Sequence, residues 1–164
     1  MEVYYGHFPV KFFLVGFAGD GEKLFHVGFY RNLREFERRM KKLYGSPKPR
    51  REKFSDFVLT LSKYFSGKEI AFEYPIKIAG TRFQLNVWKK VSEIPYGETR
   101  SYRWVAESIG NPRAARPAAN ALKRNPLALI VPCHRVIRSD GKIAGSGFGR
   151  DVREYLLRLE GAIR

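Results

Sequence analysis

Ser101-Tyr102-Arg103-Trp104-Val105-Ala106-Glu107-Ser108-Ile109-Gly110-Asn111-Pro112-Arg113-Ala114-Ala115-Arg116-Pro117-Ala118-Ala119-Asn120-Ala121-Leu122 is the stretch on which the fold turns. Ser101 is suited to an N-cap, and Trp104, Val105 and Ile109 follow at helical spacing as far as Gly110. Asn111-Pro112 then offers a second start, with Asn as N-cap and Pro at the first helical position, for a helix reaching about Arg124. Pro117 falls near its first turn, where a missing N–H is tolerated. Two short helices joined by a tight glycine-containing turn predict a helix-turn-helix.

Downstream, the only cysteine of the chain sits in Val131-Pro132-Cys133-His134-Arg135-Val136-Ile137. A lone cysteine is more often a small buried hydrophobe than a reactive group. Here a proline fixes the backbone before the thiol, and His134, Arg135 and Arg138 lie close enough in sequence to favour thiolate, the nucleophilic form. Adjacent side chains on extended backbone point to opposite sides, so a Cys133–His134 couple needs irregular backbone or a bridging water. Glu160 is one of several acids able to orient the histidine in a nucleophile–base–orienter chain. A last helix is expected from Arg150 or Asp151, with Val152, Tyr155, Leu156 and Leu159 on one face.

Upstream, Thr81 can cap a helix carrying Phe83, Val87, Trp88 and Val91, and Pro95-Tyr96-Gly97 reads as a turn. Before Gly80 the pattern changes. Val10 to Phe17 reads as a buried strand, Gly19-Asp20-Gly21 as a turn, and Phe25, Val27 and Phe29 as a second strand paired to the first. His26 reads as a half-buried strand residue. Leu33, Phe36, Met40, Leu43 and Tyr44 mark one helix; Phe54, Phe57, Val58, Leu61, Tyr64 and Phe65 mark another, closed by Gly67. Ile70 to Ile76 alternates, but Pro75 demotes it to an edge strand or extended connector. The expected architecture is an α/β N-terminal domain, 1–77, with a small mostly antiparallel sheet, and a helical C-terminal domain, 78–164, containing the helix-turn-helix.

The chain has 164 residues, 44% of them hydrophobic and 15% aromatic, enough for a packed core and too many for a disordered protein. One cysteine excludes an internal disulfide, and with three histidines it argues against a structural zinc site. No signal peptide and no run of membrane-spanning length is visible. The net charge of +15 favours a polyanionic partner, nucleic acid being the usual one. One glutamine, Gln84, and many arginines fit a thermophilic source. A major-groove reader carries several long polar side chains to base edges. The second helix of the pair is instead smooth, with Ala115 and Ala119 flanked by Arg113 and Arg116, as suits a narrow groove; Arg116 and Leu122 are the candidates for insertion there. An alanine-rich core helix would have the same composition.

From Thr81 to Gly161 the chain resembles the O6-alkylguanine-DNA alkyltransferase family. The matching pieces are Ile94-Pro95-Tyr96-Gly97-Glu98-Thr99 with Ser101-Tyr102, Gly110 to Arg116, Arg124-Asn125-Pro126, Val131 to Ile137, Leu156-Leu157 and Leu159-Glu160-Gly161. The resemblance implies a suicide DNA-repair protein that needs no cofactor or metal, a cytoplasmic monomer acting on double-stranded DNA with O6-alkylguanine and away from membranes. It implies that Cys133 takes the alkyl group, that His134 acts as base through a water, and that Glu160 polarises His134. Tyr102 would donate to N3 of a flipped base, and Asn125 would be the hinge into the active-site segment. Arg116 would fill the vacated stack with Leu122 as wedge, and the carbonyls of Cys133 and Val136 would accept from the guanine amino group. Many relatives carry a pocket tyrosine where this chain has Ser146, followed by Gly147; that exchange suggests a larger alkyl pocket, with Ser146 or the Gly147 N–H left to stabilise the departing O6. Three other readings are a lesion binder without transfer, a sequence-specific regulator with a bystander cysteine, and a cysteine hydrolase. Residues 31 to 53 hold ten lysines and arginines against three acids, read as a solvated helix face, or alternatively as an auxiliary DNA-backbone contact.

Overall fold

β2, Leu14–Gly19, is buried along its whole length because both of its faces are covered. Such a strand reads as a continuous apolar run rather than an alternation. The computed structural model describes all 164 residues, which fall into two compact units, Met1–Ile78 and Ala79–Arg164. In the first, β1 (Tyr4–Pro9), β2, β3 (Leu24–Tyr30) and the short β4 (Lys48–Pro49) form a sheet of order β3-β2-β1-β4, antiparallel except for the β1–β4 pair. Leu14 and Ala18 face α1 (Leu33–Tyr44), sharing a core with Phe36 and Met40. On the other face the Phe17 ring meets Phe54 and Phe57 at centroid separations of 5.2 and 5.3 Å, the latter from α2 (Ser55–Phe65). Gly16 lets α1 come close: a Cβ there would lie 2.4 Å from the Phe36 ring.

Two elements of this unit differ from the reading of the sequence, the first strand and β1. The second expected strand pairs antiparallel with the first, as the spacing suggests, but the first begins at Leu14. Val10 to Phe13 is instead a tight turn closed by the Val10 N–H on the Phe13 carbonyl at 2.8 Å; the apolar run continues through it because Phe13 is buried. β1 goes unseen in the sequence because Tyr4-Tyr5-Gly6-His7-Phe8-Pro9 is mostly half-buried and has no clean alternation. Ile70 to Ile76 is an extended connector with a single bridge, Ile76 to Leu24; Pro75, lacking an N–H, contributes its carbonyl to the Leu24 N–H at 2.9 Å. His26 is half-buried and hydrogen-bonds the Tyr30 hydroxyl at 2.6 Å.

In the second unit, α3 (Arg82–Val91) opens on a complete capping box between Thr81 and Gln84. It packs on α5 (Ala115–Lys123), where the Trp88 indole N–H donates to the Ala121 carbonyl at 2.9 Å. α4 (Tyr102–Ser108) starts at Ser101, whose hydroxyl accepts from the Trp104 N–H at 2.9 Å. Gly110, at φ +81°, makes the turn between α4 and α5, as only glycine does without strain. α5 starts three residues later than the Asn111-Pro112 signal predicts: Asn111 to Ala114 is a turn closed by the Ala114 N–H on the Asn111 carbonyl. Pro117 explains the shift. In a helix from Pro112 its ring would strike an earlier carbonyl and one helical bond would be missing, whereas three positions into α5 its N–H is not required. α6 (Gly147–Leu159) begins three or four residues earlier than the expected start at Arg150 or Asp151, taking in Gly147-Phe148-Gly149. No helix is long and apolar enough to cross a membrane.

Candidate functional site

Pro132 sets the geometry around the thiol. Its φ of −79° and ψ of 66° form an inverse γ-turn, closed by the Cys133 N–H on the Val131 carbonyl at 2.8 Å. A proline ring holds φ near this value, so the turn is favoured before any tertiary contact forms. A 3-10 turn over Cys133–Arg135 follows, so Cys133 and His134 lie on irregular backbone rather than on a strand. The approach from Leu127 to Val131 is bent, with Leu129 at φ +71°, a conformation that costs a non-glycine residue about 1 kcal/mol or more. Asn125 braces it twice: its Oδ1 accepts from the Leu127 N–H and its amide donates to the Val131 carbonyl, both at 2.9 Å.

Below the thiol lies a buried ionic cluster. The His134 Nε2–H donates to Glu160 at 2.7 Å. Arg135 donates to both oxygens of the same carboxylate, at 2.8 and 3.2 Å, and also to the Ile94 carbonyl at 2.8 Å. The Gly97 N–H adds a longer contact to Glu160, at 3.3 Å. Glu160 is the C-cap of α6, and Gly161 and Ala162 complete a Schellman motif on the Arg158 and Leu157 carbonyls. A carboxylate at a helix C-terminus opposes the helix dipole, so its place depends on Arg135 and His134. Burial pushes the His134 pKa below the usual imidazole range, while Glu160 acts in the opposite direction. With Nε2–H committed to the carboxylate, Nδ1 is the basic atom, and it is buried without a partner. Arg135 is the member of this cluster whose role sequence reasoning missed. The available signal was an arginine inside an apolar run, a position that demands a counter-charge.

Tyr102 reaches the same region because β5 (Arg100–Ser101) pairs in parallel with β6 (Val136–Ile137), joining the start of α4 to the end of the thiol segment. Burial raises the Tyr102 pKa; nearby Arg153 works against this and Cys133 adds to it. The phenol therefore stays protonated and can donate. Cys133 is half-exposed. Val136 is buried, and its N–H already donates to the Cys133 carbonyl. Ser146 and Gly147 lie exposed at the start of α6. Arg153, also missed, donates to the Ala144 carbonyl at 3.0 Å and so ties down the loop before them.

On the helix-turn-helix, Arg113 and Arg116 are exposed, with Asn120, Lys123 and Arg124 also outward, while Ala115 and Ala119 are half-buried. Leu122 requires a correction. Expected as an apolar wedge, it is turned into the core and only 4% exposed, so it braces α5 and presents no free apolar surface. The helical period places it on the side of Ala118 and Ala121, also buried.

The chain is similar to known proteins over nearly its whole length. The family described as 6-O-methylguanine DNA methyltransferase, DNA binding domain, matches residues 82–162. The methylated-DNA–protein-cysteine methyltransferase of Methanosarcina acetivorans is 41% identical over 160 residues, 98% of this chain and 99% of that protein. The crystal structure of the Mycobacterium tuberculosis O6-methylguanine methyltransferase superposes with a TM-score of 0.85 at 38% identity, covering 98% of this chain and 93% of that one. A structure of the OGT of that organism in complex with DNA gives a TM-score of 0.84 at 36% identity, over 97% and 93% of the two chains.

Proposed function

The chain belongs to the methylated-DNA–protein-cysteine methyltransferase family, and from that premise we propose that it repairs O6-alkylguanine in duplex DNA by moving the alkyl group onto its own Cys133, once per molecule. The observation that carries this reading is His134. Its Nε2–H is held by Glu160 at 2.7 Å, and its Nδ1 is a buried, unpartnered base one residue from the only thiol.

The reaction is an in-line displacement. The Cys133 proton passes through a water to His134 Nδ1, and the resulting imidazolium is stabilised by the Glu160 carboxylate. The thiolate forms an S–C bond as the alkyl C–O6 bond breaks, and the electron pair moves into the guanine ring. Tyr102, kept protonated by its burial, donates to N3 and makes the base a better leaving group. The thioether cannot be reversed, so the protein is consumed. O4-alkylthymine offers the same alkyl–oxygen bond and is a second substrate by this chemistry.

The reacting carbon is inaccessible inside a stacked duplex, so the nucleotide is flipped out, at an expense of a few kcal/mol. The half-buried Ala115 and Ala119 let α5 lie close in the minor groove, Arg113 contacts the backbone, and exposed Arg116 fills the vacated stack. Asn125 fixes the joint between the helix-turn-helix and the thiol segment. The Cys133 and Val136 carbonyls accept from the guanine amino group, the former through its second lone pair. Ser146 in place of the tyrosine of many relatives leaves a wider alkyl pocket, and Ser146 or the Gly147 N–H stabilises the departing oxygen. A free thiol stays reduced in the cytoplasm, which suits a monomer whose nucleophile is used once.

The test is the intact mass and peptide map after mixing with duplex containing one O6-methylguanine. One methyl on Cys133, stoichiometric and without turnover, is expected; Cys133→Ala is expected to take none while keeping its preference for the lesion. Lesion binding by the parent protein without any adduct would make it a damage sensor instead.

A further inference from the structure

The outward face of α1 carries cations that the fold does not use. Arg34, Arg38 and Lys41 recur at i, i+4 and i+7, with Lys42 four residues beyond Arg38, all exposed; Phe36 and Met40 on the opposite side are buried. No carboxylate lies within ion-pair distance of these four. Of the acids on the helix, Glu35 pairs with Arg31 at 3.7 Å and Glu37 is engaged by the Tyr5 hydroxyl at 2.7 Å. Like charges at i, i+4 destabilise a helix by about 0.2–0.5 kcal/mol per pair. Elsewhere the chain avoids this: α4 pairs Arg103 with Glu107 at 3.1 Å and α6 pairs Arg158 with Glu154 at 3.2 Å, both at i, i+4. The α1 face thus keeps a repulsion that one substitution would relieve. Arg34, Arg38 and Lys41 also line an open groove together with Leu33 and Glu37.

We propose that this face of α1 is a second DNA-binding surface, gripping the phosphate backbone without regard to sequence or damage. The proposal rests on the function assigned above, because a protein that meets lesions anywhere in duplex DNA gains from affinity that base sequence does not modulate. Three cations across about 10 Å of helix axis match the closely spaced charge of a duplex. An anionic membrane is the weaker occupant, since a membrane-surface helix needs a free apolar face and that of α1 is covered by the sheet.

The test measures affinity of the full chain for undamaged duplex across a salt series. Removing one cation that pairs with a phosphate makes the slope of log K against log salt shallower by about 0.9. Arg34→Gln with Arg38→Gln and Lys41→Gln is therefore expected to make the slope shallower by about 2 to 3 and to weaken binding more than tenfold at low salt. Lys11→Gln with Lys63→Gln and Lys68→Gln removes equal charge elsewhere on this unit and is expected to keep the parental slope. An unchanged slope in the α1 variant, or an equal drop in both, overturns the proposal; so does a loss confined to binding of phosphatidylserine vesicles. Methyl transfer to Cys133 at saturating DNA separates the two readings. Retained transfer with an unchanged slope refutes the α1 surface alone, and absent transfer in the parent protein refutes the repair assignment.

Discussion

Glu160→Gln tests how the thiol is activated. The parent carboxylate accepts from His134 at 2.7 Å, from Arg135 at 2.8 and 3.2 Å, and from Gly97 at 3.3 Å, all in a buried setting. The amide keeps one accepting oxygen but leaves the Arg135 guanidinium without its counter-charge. Breaking a buried pair costs about 3–5 kcal/mol; the retained oxygen puts this variant near the lower figure, a fall in Tm of roughly 6–12 °C. The chemical effect is separate. An amide N–H turned toward His134 Nε2 forces the imidazole proton onto Nδ1 and removes the base, so single-turnover transfer from O6-methylguanine should slow by about 10²–10⁴ at neutral pH. Rapid-quench measurements well below the lowered Tm read this directly. The rate of the variant should climb steeply with pH as alkali takes over the deprotonation, a dependence that a merely loosened fold would not produce. Transfer within threefold of the parent, with the same pH profile, would refute the assignment of Nδ1 as the base.

Asn125→Ala removes both bonds bracing the bent approach and should cost about 2–4 kcal/mol, read by thermal melting, with slower transfer at temperatures where the fold persists. Arg116→Ala and Leu122→Ala should behave oppositely: the first leaves Tm within about 1 °C and slows transfer at limiting DNA, while the second costs about 2–5 kcal/mol because the side chain is core. Equal melting temperatures for the two would contradict the burial of Leu122. Burial lowers the His26 pKa from 6.5 to about 4. The folded state then binds fewer protons than the unfolded one, so this contribution is fully present above about pH 6.5 and is lost as pH falls to about 4, up to roughly 3 kcal/mol. Urea unfolding across that window should show the decline, and His26→Gln should flatten it.

Elements whose signals are local can be read directly from the amino-acid order. Thr81 with Gln84 and Ser101 with Trp104 specify helix starts within three residues, Gly110 specifies the turn between α4 and α5, and Pro132 fixes the turn that presents Cys133. The motif around Cys133, with Asn125 and Glu160 at their spacings, made the family legible. The folded chain settled what depends on partners distant in the chain, or on two local signals in conflict. That Asn111 would not cap α5 depended on Pro117, a local conflict that a cap signal alone does not weigh. Reading α5 as a minor-groove helix predicts an outward Leu122, but packing turns it inward, because the chain says which residues are apolar and not which helix face is covered. Arg135 lies 25 residues from Glu160 and 41 from the Ile94 carbonyl; only the folded chain brings them together, and with them comes the proton-free nitrogen of His134 on which the chemistry depends.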